Sequence, residues 1–406
     1  GTAGASTFMM PDPTDYASIP QDPKNPITEE KVFLGKLLFH EPGLAINPKD
    51  STQMYTYSCA SCHHVDAGFQ AGRQQGIGEG GWGFGWQGEG RYPAPGYNPD
   101  SMDVQPIRSP SALNVAYQEL MLWNGQFGAT GQNSETDAYW TPGTPKEVNN
   151  LGFQGVETQA IAGLAVHRMD YSTDMPFYGR YKPWFDSAFP GVPEGERYTR
   201  VNAGLAIAAY ERTLLASEAP FQRYLRGQPF AMTLQQKRGA RLFFGEAGCV
   251  QCHTGPALSS MTFSALGMND LVGVGIFGPG ADDPAHLGRG GFTQEPDELY
   301  QFKVPQLYNL KDSPFMGHGG SFQSVEEIVR YKNNAVAEND RVPAQYLDSR
   351  FVPLRLRDHE IEDITAFIEE ALHDAELNRY APTQVLSGFC FPNNDTLSRE
   401  QMGCGQ

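Results

Sequence analysis

Two five-residue strings carry the chemistry of this chain: Cys59-Ala60-Ser61-Cys62-His63 and, further on, Cys249-Val250-Gln251-Cys252-His253. The pattern C-x-x-C-H is the attachment signature of a c-type haem. Two thiols add to the vinyl groups of one porphyrin, and two intervening residues let a single turn present both sulfurs to one edge. The histidine that follows is then set beneath the iron as its proximal ligand. With 6 Cys and 9 His in 406 residues, chance supplies about 0.002 such strings, and the chain has two. The other uses of a close cysteine pair are a redox dithiol and half of a zinc site. A cysteine-pair zinc site wants a second pair nearby, and neither string has one. Cys59, Cys62 and His63 are expected to hold one haem, and Cys249, Cys252 and His253 a second.

The remaining cysteines, Cys390 and Cys404, lie close together near the end of the chain. An even remainder with a short loop reads as a disulfide, which requires an oxidising space. Together with covalent haem this points to the periplasm or the cell exterior. The opening residues, Gly1-Thr2-Ala3-Gly4, carry no basic or apolar leader and read as the end left by a removed export signal. No run of 18 apolar residues occurs, so no spanning segment is expected. The net charge of −17 repels nucleic acid and anionic membrane and would steer a basic partner.

Elements must bring each string to its haem. Residues 1–28 are a Pro-rich, extended arm. The spacing of apolar residues predicts a helix over 29–40, just before the first string, and another over 234–244, just before the second. Helix-then-haem therefore occurs twice, and the chain is a duplicated unit. The predicted fold is mostly α: two cytochrome-c-like haem domains, 29–200 and 201–406, with long ordered loops and little β. Further helices are predicted over 157–169, 201–216, 324–332 and 358–373. Ser324 with Glu327 three residues on forms a capping box for the third of these. A glycine-rich tract over 76–97 holds Trp82, Phe84, Trp86, Tyr92 and Tyr97, and reads as a lid, a docking surface or packing over the haem edge. A second glycine-rich loop spans 273–291.

Beyond the two haem strings, the chain contains Arg108-Ser-Pro-Ser-Ala-Leu-Asn114, Trp123-Asn-Gly125, Ala209-Tyr-Glu-Arg-Thr-Leu-Leu215, Tyr224-Leu-Arg-Gly227, Phe302-Lys-Val-Pro305 and His318-Gly-Gly320. With these, residues 34–373 resemble the bacterial dihaem cytochrome c peroxidase and MauG family. The resemblance implies that the N-terminal haem reacts with hydrogen peroxide and that the C-terminal haem passes or shares electrons, with Trp123 as the relay. Two activities are implied. One is a peroxidase fed by a small cytochrome or copper protein. The other is a MauG-like oxidase that builds an oxidised two-haem state and modifies a residue of a partner protein. A pure electron carrier is the third reading. A calcium ion between the domains is also implied, with Asn114 and the turn over 310–315 in the matching regions.

The two irons should differ. Some peroxidases of the family place a ligating His about sixteen residues after the first string, where this chain has Glu79. His64, adjoining His63, can hardly reach the opposite face, so the first iron is expected to be open. The segment that supplies the family's acid–base Glu matches Ala162-Gly-Leu-Ala-Val-His167-Arg168-Met169 here. The family Pro and Glu are both missing. His167 is the substitute proton acceptor and Arg168 the charge stabiliser, with Glu157 and Gln159 as further candidates. For the second iron, the matching position falls on Lys332 or Tyr331, with Tyr331 preferred and Met316, Met261 and Met268 as thioether alternatives.

Overall fold

A computed structural model describes residues 4, 6–278 and 280–405. Residues 1–3, on which the reading of a processed start rests, lie outside the described part, as does one position of the second glycine-rich loop. The chain is mostly helical, with helices α1 Glu29–Phe39, α2 Gly155–Val166, α3 Tyr178–Ala188, α4 Glu194–Arg197, α5 Arg200–Arg212, α6 Pro220–Leu225, α7 Leu234–Phe244, α8 Gly288–Thr293, α9 Val325–Asn334, α10 Asp358–Ala366 and α11 Thr396–Gln401. Strand structure among the described residues is confined to two antiparallel two-residue pairs, Gly81–Trp82 with Tyr92–Pro93 and Phe263–Ser264 with Phe302–Lys303. The mostly α expectation therefore holds.

The two haem strings follow α1 and α7, and each of these helices crosses a later one at a glycine. A Cβ on Gly35 of α1 would lie 2.0 Å from the backbone oxygen of Ala206 in α5, and one on Gly239 of α7 would lie 1.9 Å from that of Asp363 in α10. Only a residue without a side chain lets the backbones approach so closely. Around the first crossing Phe39 packs edge-on against Tyr210; around the second, Phe243 packs against Phe367. The same joint is thus built twice, as the sequence implied.

The repetition runs further than the haem strings. Met121-Leu-Trp123-Asn-Gly125-Gln-Phe127 folds back so that Met121 bridges Phe127, and Met316-Gly-His318-Gly-Gly320-Ser-Phe322 folds back so that Met316 bridges Phe322. Trp123 and His318 occupy the same place in the two turns, and their rings lie 6.4 Å apart. Upstream, Arg108-Ser-Pro110 ending in Asn114 corresponds to Lys303-Val-Pro305 ending in Asn309. Both asparagines take a left-handed backbone, φ 62° and 57°.

Two expectations need correction, and the arm can be placed. The boundary at 200/201 is misplaced, because α5 packs on α1 and α2 and completes the first haem unit: Gly204 of α5 abuts Ile161 of α2. The arm packs against later helices. Phe8 packs on Phe244 at 5.0 Å, and Asn25 donates to the Leu205 carbonyl at 2.9 Å, so it straps both halves. The C-terminal tail does not stay with the second half. The Cys390–Cys404 disulfide is formed, and the tail it closes lies on the first haem string. Ser58 Oγ donates to Pro392 O, Gly83 N donates to Asp395 Oδ1, and Arg91 pairs with Asp395, both almost fully buried. The first glycine-rich tract is held by this tail. Phe84 is buried against His64, while Trp86 is 88% exposed.

Helix ends also differ slightly. The helix predicted over 157–169 stops at Val166, which leaves His167 as its C-cap. The one predicted over 201–216 stops at Arg212. The last, over 358–373, is α-helical to Ala366 and then widens into a π turn, Phe367–Ala371. Ser324 caps α9, accepting from Glu327 N, but the predicted box is only half made, because the Glu327 carboxylate accepts from Gln323 N instead.

Candidate haem sites

Each C-x-x-C-H string forms one turn of 3-10 helix, Cys59–Ser61 and Cys249–Gln251, which places its two sulfurs on one side. The histidine that follows is fixed by a carbonyl. His63 Nδ1 donates to Phe69 O at 3.2 Å. His253 Nδ1 donates to Leu258 O at 3.0 Å and to Pro305 O at 3.2 Å. The acceptor is a positive-φ residue in both cases, Phe69 at 58° and Leu258 at 50°. With Nδ1 engaged as donor, Nε2 is the nitrogen left to bind a metal. Burial holds both rings neutral, lowering the His63 pKa to about 4 and that of His253 to about 3. Burial also pushes the Cys62 thiol up to about 12 and Cys249 up to about 11, the opposite of an activated redox thiol.

A cavity of about 520 Å³ opens beside the second string. Its walls include Cys249, Cys252, His253, Trp123, Lys332 and Met316. Two buried cations face it without a carboxylate partner among the described residues. Lys303 Nζ donates to Leu120 O at 2.8 Å, and burial pushes its pKa down to about 7. Arg108 donates to the carbonyls of Ala71, Arg73 and Gln74, to Gln70 Oε1 and to Ser313 Oγ; burial lowers it to about 9. Buried cations lacking a counter-ion are costly, and the carboxylates of a haem would supply one. At the first string, Tyr57 is fully buried and its hydroxyl has no hydrogen-bond partner among the described residues, again an opening for a group the chain does not provide. Both sites fit a haem.

The polar residues predicted near the first haem separate into two groups. His167 Nδ1 donates to Asp103 Oδ2 at 2.8 Å, with Asp103 nearly fully buried. Burial works to lower the His167 pKa, but the charge and hydrogen bond of Asp103 override it and raise it above the usual histidine value. Arg168, turned out of α2 with φ 59°, is held by the fully buried Glu79 and by Ser101 O at 2.7 Å. Glu79 also accepts from Tyr97. Glu79 therefore anchors Arg168 rather than offering itself to a metal. Gln159 stands on the face of α2 that is not fully buried. Glu157 does not belong with them. It is fully buried and takes two bonds from Arg212, at 2.6 and 2.9 Å, which ties α2 to α5 and leaves it no carboxylate for acid–base work.

At the second haem, Tyr331 is the residue to correct. Its hydroxyl donates to Leu266 O, and its ring packs on Phe322 and Phe351. Burial pushes its pKa up to about 12, and it is not among the cavity walls. Lys332, one helical step on, is. Burial lowers its pKa. Met316 and Met268 also line the cavity, while Met261 does not. Asn114, the predicted calcium ligand, is fully buried, with Oδ1 accepting from Ala216 N and Nδ2 donating to Gln306 Oε1. Its oxygen thus fastens the backbone after α5, and in the turn over 310–315 Arg108 donates to Ser313 Oγ. Among the described residues no cluster of three or more His, Cys, Asp or Glu is gathered for a metal ion.

Trp123 lies at the junction of the halves. Its indole N–H donates to Arg108 O at 2.9 Å, and its carbonyl accepts from Lys303 N at 2.7 Å. Sequence reasoning missed Asp103 and the carbonyl-bound Arg108.

Comparison with known proteins agrees with this geometry. A family model described as di-haem cytochrome c peroxidase matches residues 29–229. The chain is 28% identical over 357 residues to the methylamine utilization protein MauG of Methylorubrum extorquens, covering 87% of this chain and 81% of that protein. It is 29% identical over 379 residues to the cytochrome-c peroxidase IdrP1 of a Pseudomonas species, covering 88% and 84%. Among solved structures, a MauG-like protein associated with microbial copper homeostasis covers 92% of this chain and 97% of its own, with a TM-score of 0.62 at 22% identity. The diheme peroxidase BthA of Burkholderia thailandensis has a TM-score of 0.53. Among the described residues no helix is long and apolar enough to cross a membrane. With two haem strings, two matching helix joints and these relatives, the chain belongs to the dihaem cytochrome c peroxidase and MauG family of haem c oxidoreductases.

Proposed function

We propose that this enzyme reacts with hydrogen peroxide at the N-terminal haem and draws electrons through the C-terminal haem from a small cytochrome or copper protein. When bound, the haems supply redox iron, with the open site suited to peroxide. The observation that carries the reading is the His167–Asp103 pair on the first half. Asp103 keeps the Nδ1 proton in place, so Nε2 is the free basic nitrogen, able to accept a proton from a hydroperoxide and to return it to the departing oxygen. Arg168, fixed by Glu79, adds positive charge beside it. Gln159 stands one helical face away as a further hydrogen-bonding group.

On the second half we assign Lys332, as a neutral amine, as the side chain that would close the iron of a bound haem, because it lines the cavity and Tyr331 does not. Trp123 joins the halves through Arg108 and Lys303, and we assign it the relay. The disulfide and the covalent haems favour an oxidising compartment such as the periplasm.

A second reading rests on Lys332. A nitrogen ligand in place of thioether lowers the reduction potential and favours an enzyme that stores oxidising power and spends it on a partner protein, as in a MauG-like oxidase. The test is to mix diferric protein with hydrogen peroxide, with and without a reduced small cytochrome. Steady oxidation of the cytochrome supports the peroxidase; a long-lived near-infrared band with little turnover supports the second reading. No spectral change in either mixture contradicts both.

A further inference from the structure

The internal repeat extends into the helix that follows each bridged turn. Gly155-Val156-Glu157 opens α2 and Ser324-Val325-Glu326 leads into α9. Val156 and Val325 are both buried, at 0% and 1% exposure. With these two valines in register, Gln159 corresponds to Ile328 and Gly163 to Lys332. The burial pattern supports that register. From Gly155 to Leu164 every residue of α2 is buried except Gln159 and Gly163. In α9, Ile328 and Lys332 line the haem cavity. The two pairs share the same i, i+4 stripe of their helices.

Gly163 is not demanded by the fold. A Cβ there would meet only the end of the flexible Gln159 side chain, with Nε2 at 3.1 Å. Its backbone is ordinary helix, and glycine inside a helix is unfavourable relative to alanine. Neither a close crossing, as at Gly35 and Gly239, nor a positive φ accounts for it.

We infer that this one helical register decides which iron is open: Gly163 leaves the N-terminal haem free for a small ligand, where the equivalent Lys332 closes the C-terminal one. The inference rests on the assignment of Lys332 made above. Closure is a bond from the amine lone pair to the iron, with the ammonium proton passing to solvent. A missing side chain offers no such donor. Peroxide is thereby directed to one half of a duplicated molecule by a single position.

The test uses the two-haem protein, read by electron paramagnetic resonance of the diferric state and by fluoride binding. Gly163→Lys should convert the high-spin signal to low-spin and weaken fluoride binding at least 100-fold. Gly163→Ala, which adds bulk but no donor, should keep the high-spin signal and fluoride binding. Should Gly163→Lys fail to assemble, Gly163→Met carries the same expectation. A Gly163→Lys protein with both haems attached and parental fluoride binding overturns the role of Gly163. Lys332→Gly separates this from the underlying reading: a second haem that stays low-spin in that variant overturns the lysine ligand instead.

Discussion

Around the two haem-attachment strings the halves of this molecule are nearly the same; in the residues assigned to the other side of each haem they are not. Each proximal histidine follows a one-turn cysteine pair, donates Nδ1 to the carbonyl of a left-handed residue, and sits beyond a helix that crosses its partner at a glycine. In the distal roles assigned above, the first half offers His167 held by Asp103 and Arg168 held by Glu79, while the second offers Lys332 in a largely apolar cavity. Proximal chemistry is common to any c-type haem, so duplication preserves it. The opposite face decides whether an iron reacts or relays, so divergence collects there.

The comparison can be broken at several points. The largest effect is expected from His167→Gln, which removes the proton acceptor and should slow the reaction with peroxide by about 10²- to 10⁴-fold, measured by stopped-flow absorbance. An unchanged rate removes His167 from the mechanism. Next, Gly35→Ala and Gly239→Ala each drive a methyl into a backbone oxygen and should each destabilise the fold by about 3 kcal/mol, read from denaturant unfolding. If only one of the pair is costly, the two joints are not equivalent.

Acid should weaken the first half through His40. The ring is 2% exposed, its Nε2 has no partner among the described residues, and burial lowers its pKa from 6.5 to about 4. Between these values the unfolded chain binds the proton and the folded chain does not, so stability falls as the pH drops through that window, by up to about 3 kcal/mol. His40→Phe should flatten that part of the stability–pH profile; an unaltered slope contradicts it. The smallest effect is expected from Trp123→Phe. It should slow electron passage between the haems by about tenfold, roughly 1.4 kcal/mol of barrier, with peroxide binding unchanged. Equal transfer rates would take the relay elsewhere.

What could be read from the sequence was local. The haem strings, the helices before them, the Ser324 cap and the Cys390–Cys404 pair are each written within a few neighbouring residues. What could not be read joins distant parts of the chain. Asp103 meets His167 across 64 residues, and Asp395 meets Arg91 across 304. Such pairs leave no spacing to find. Tyr331 and Lys332 could not be told apart for a different reason: adjacent residues point about 100° apart on a helix, and only the position of the cavity tells which of them lines it. Glu157 looked catalytic because a carboxylate near the right segment is ambiguous until its partner, Arg212, is known.

The most direct test of the asymmetry is electron paramagnetic resonance of the diferric parent protein before and after adding fluoride. Two ferric signals of equal weight are predicted, one high-spin and one low-spin, with fluoride perturbing the high-spin signal alone. Two low-spin signals untouched by fluoride, or two that both respond, would contradict the account.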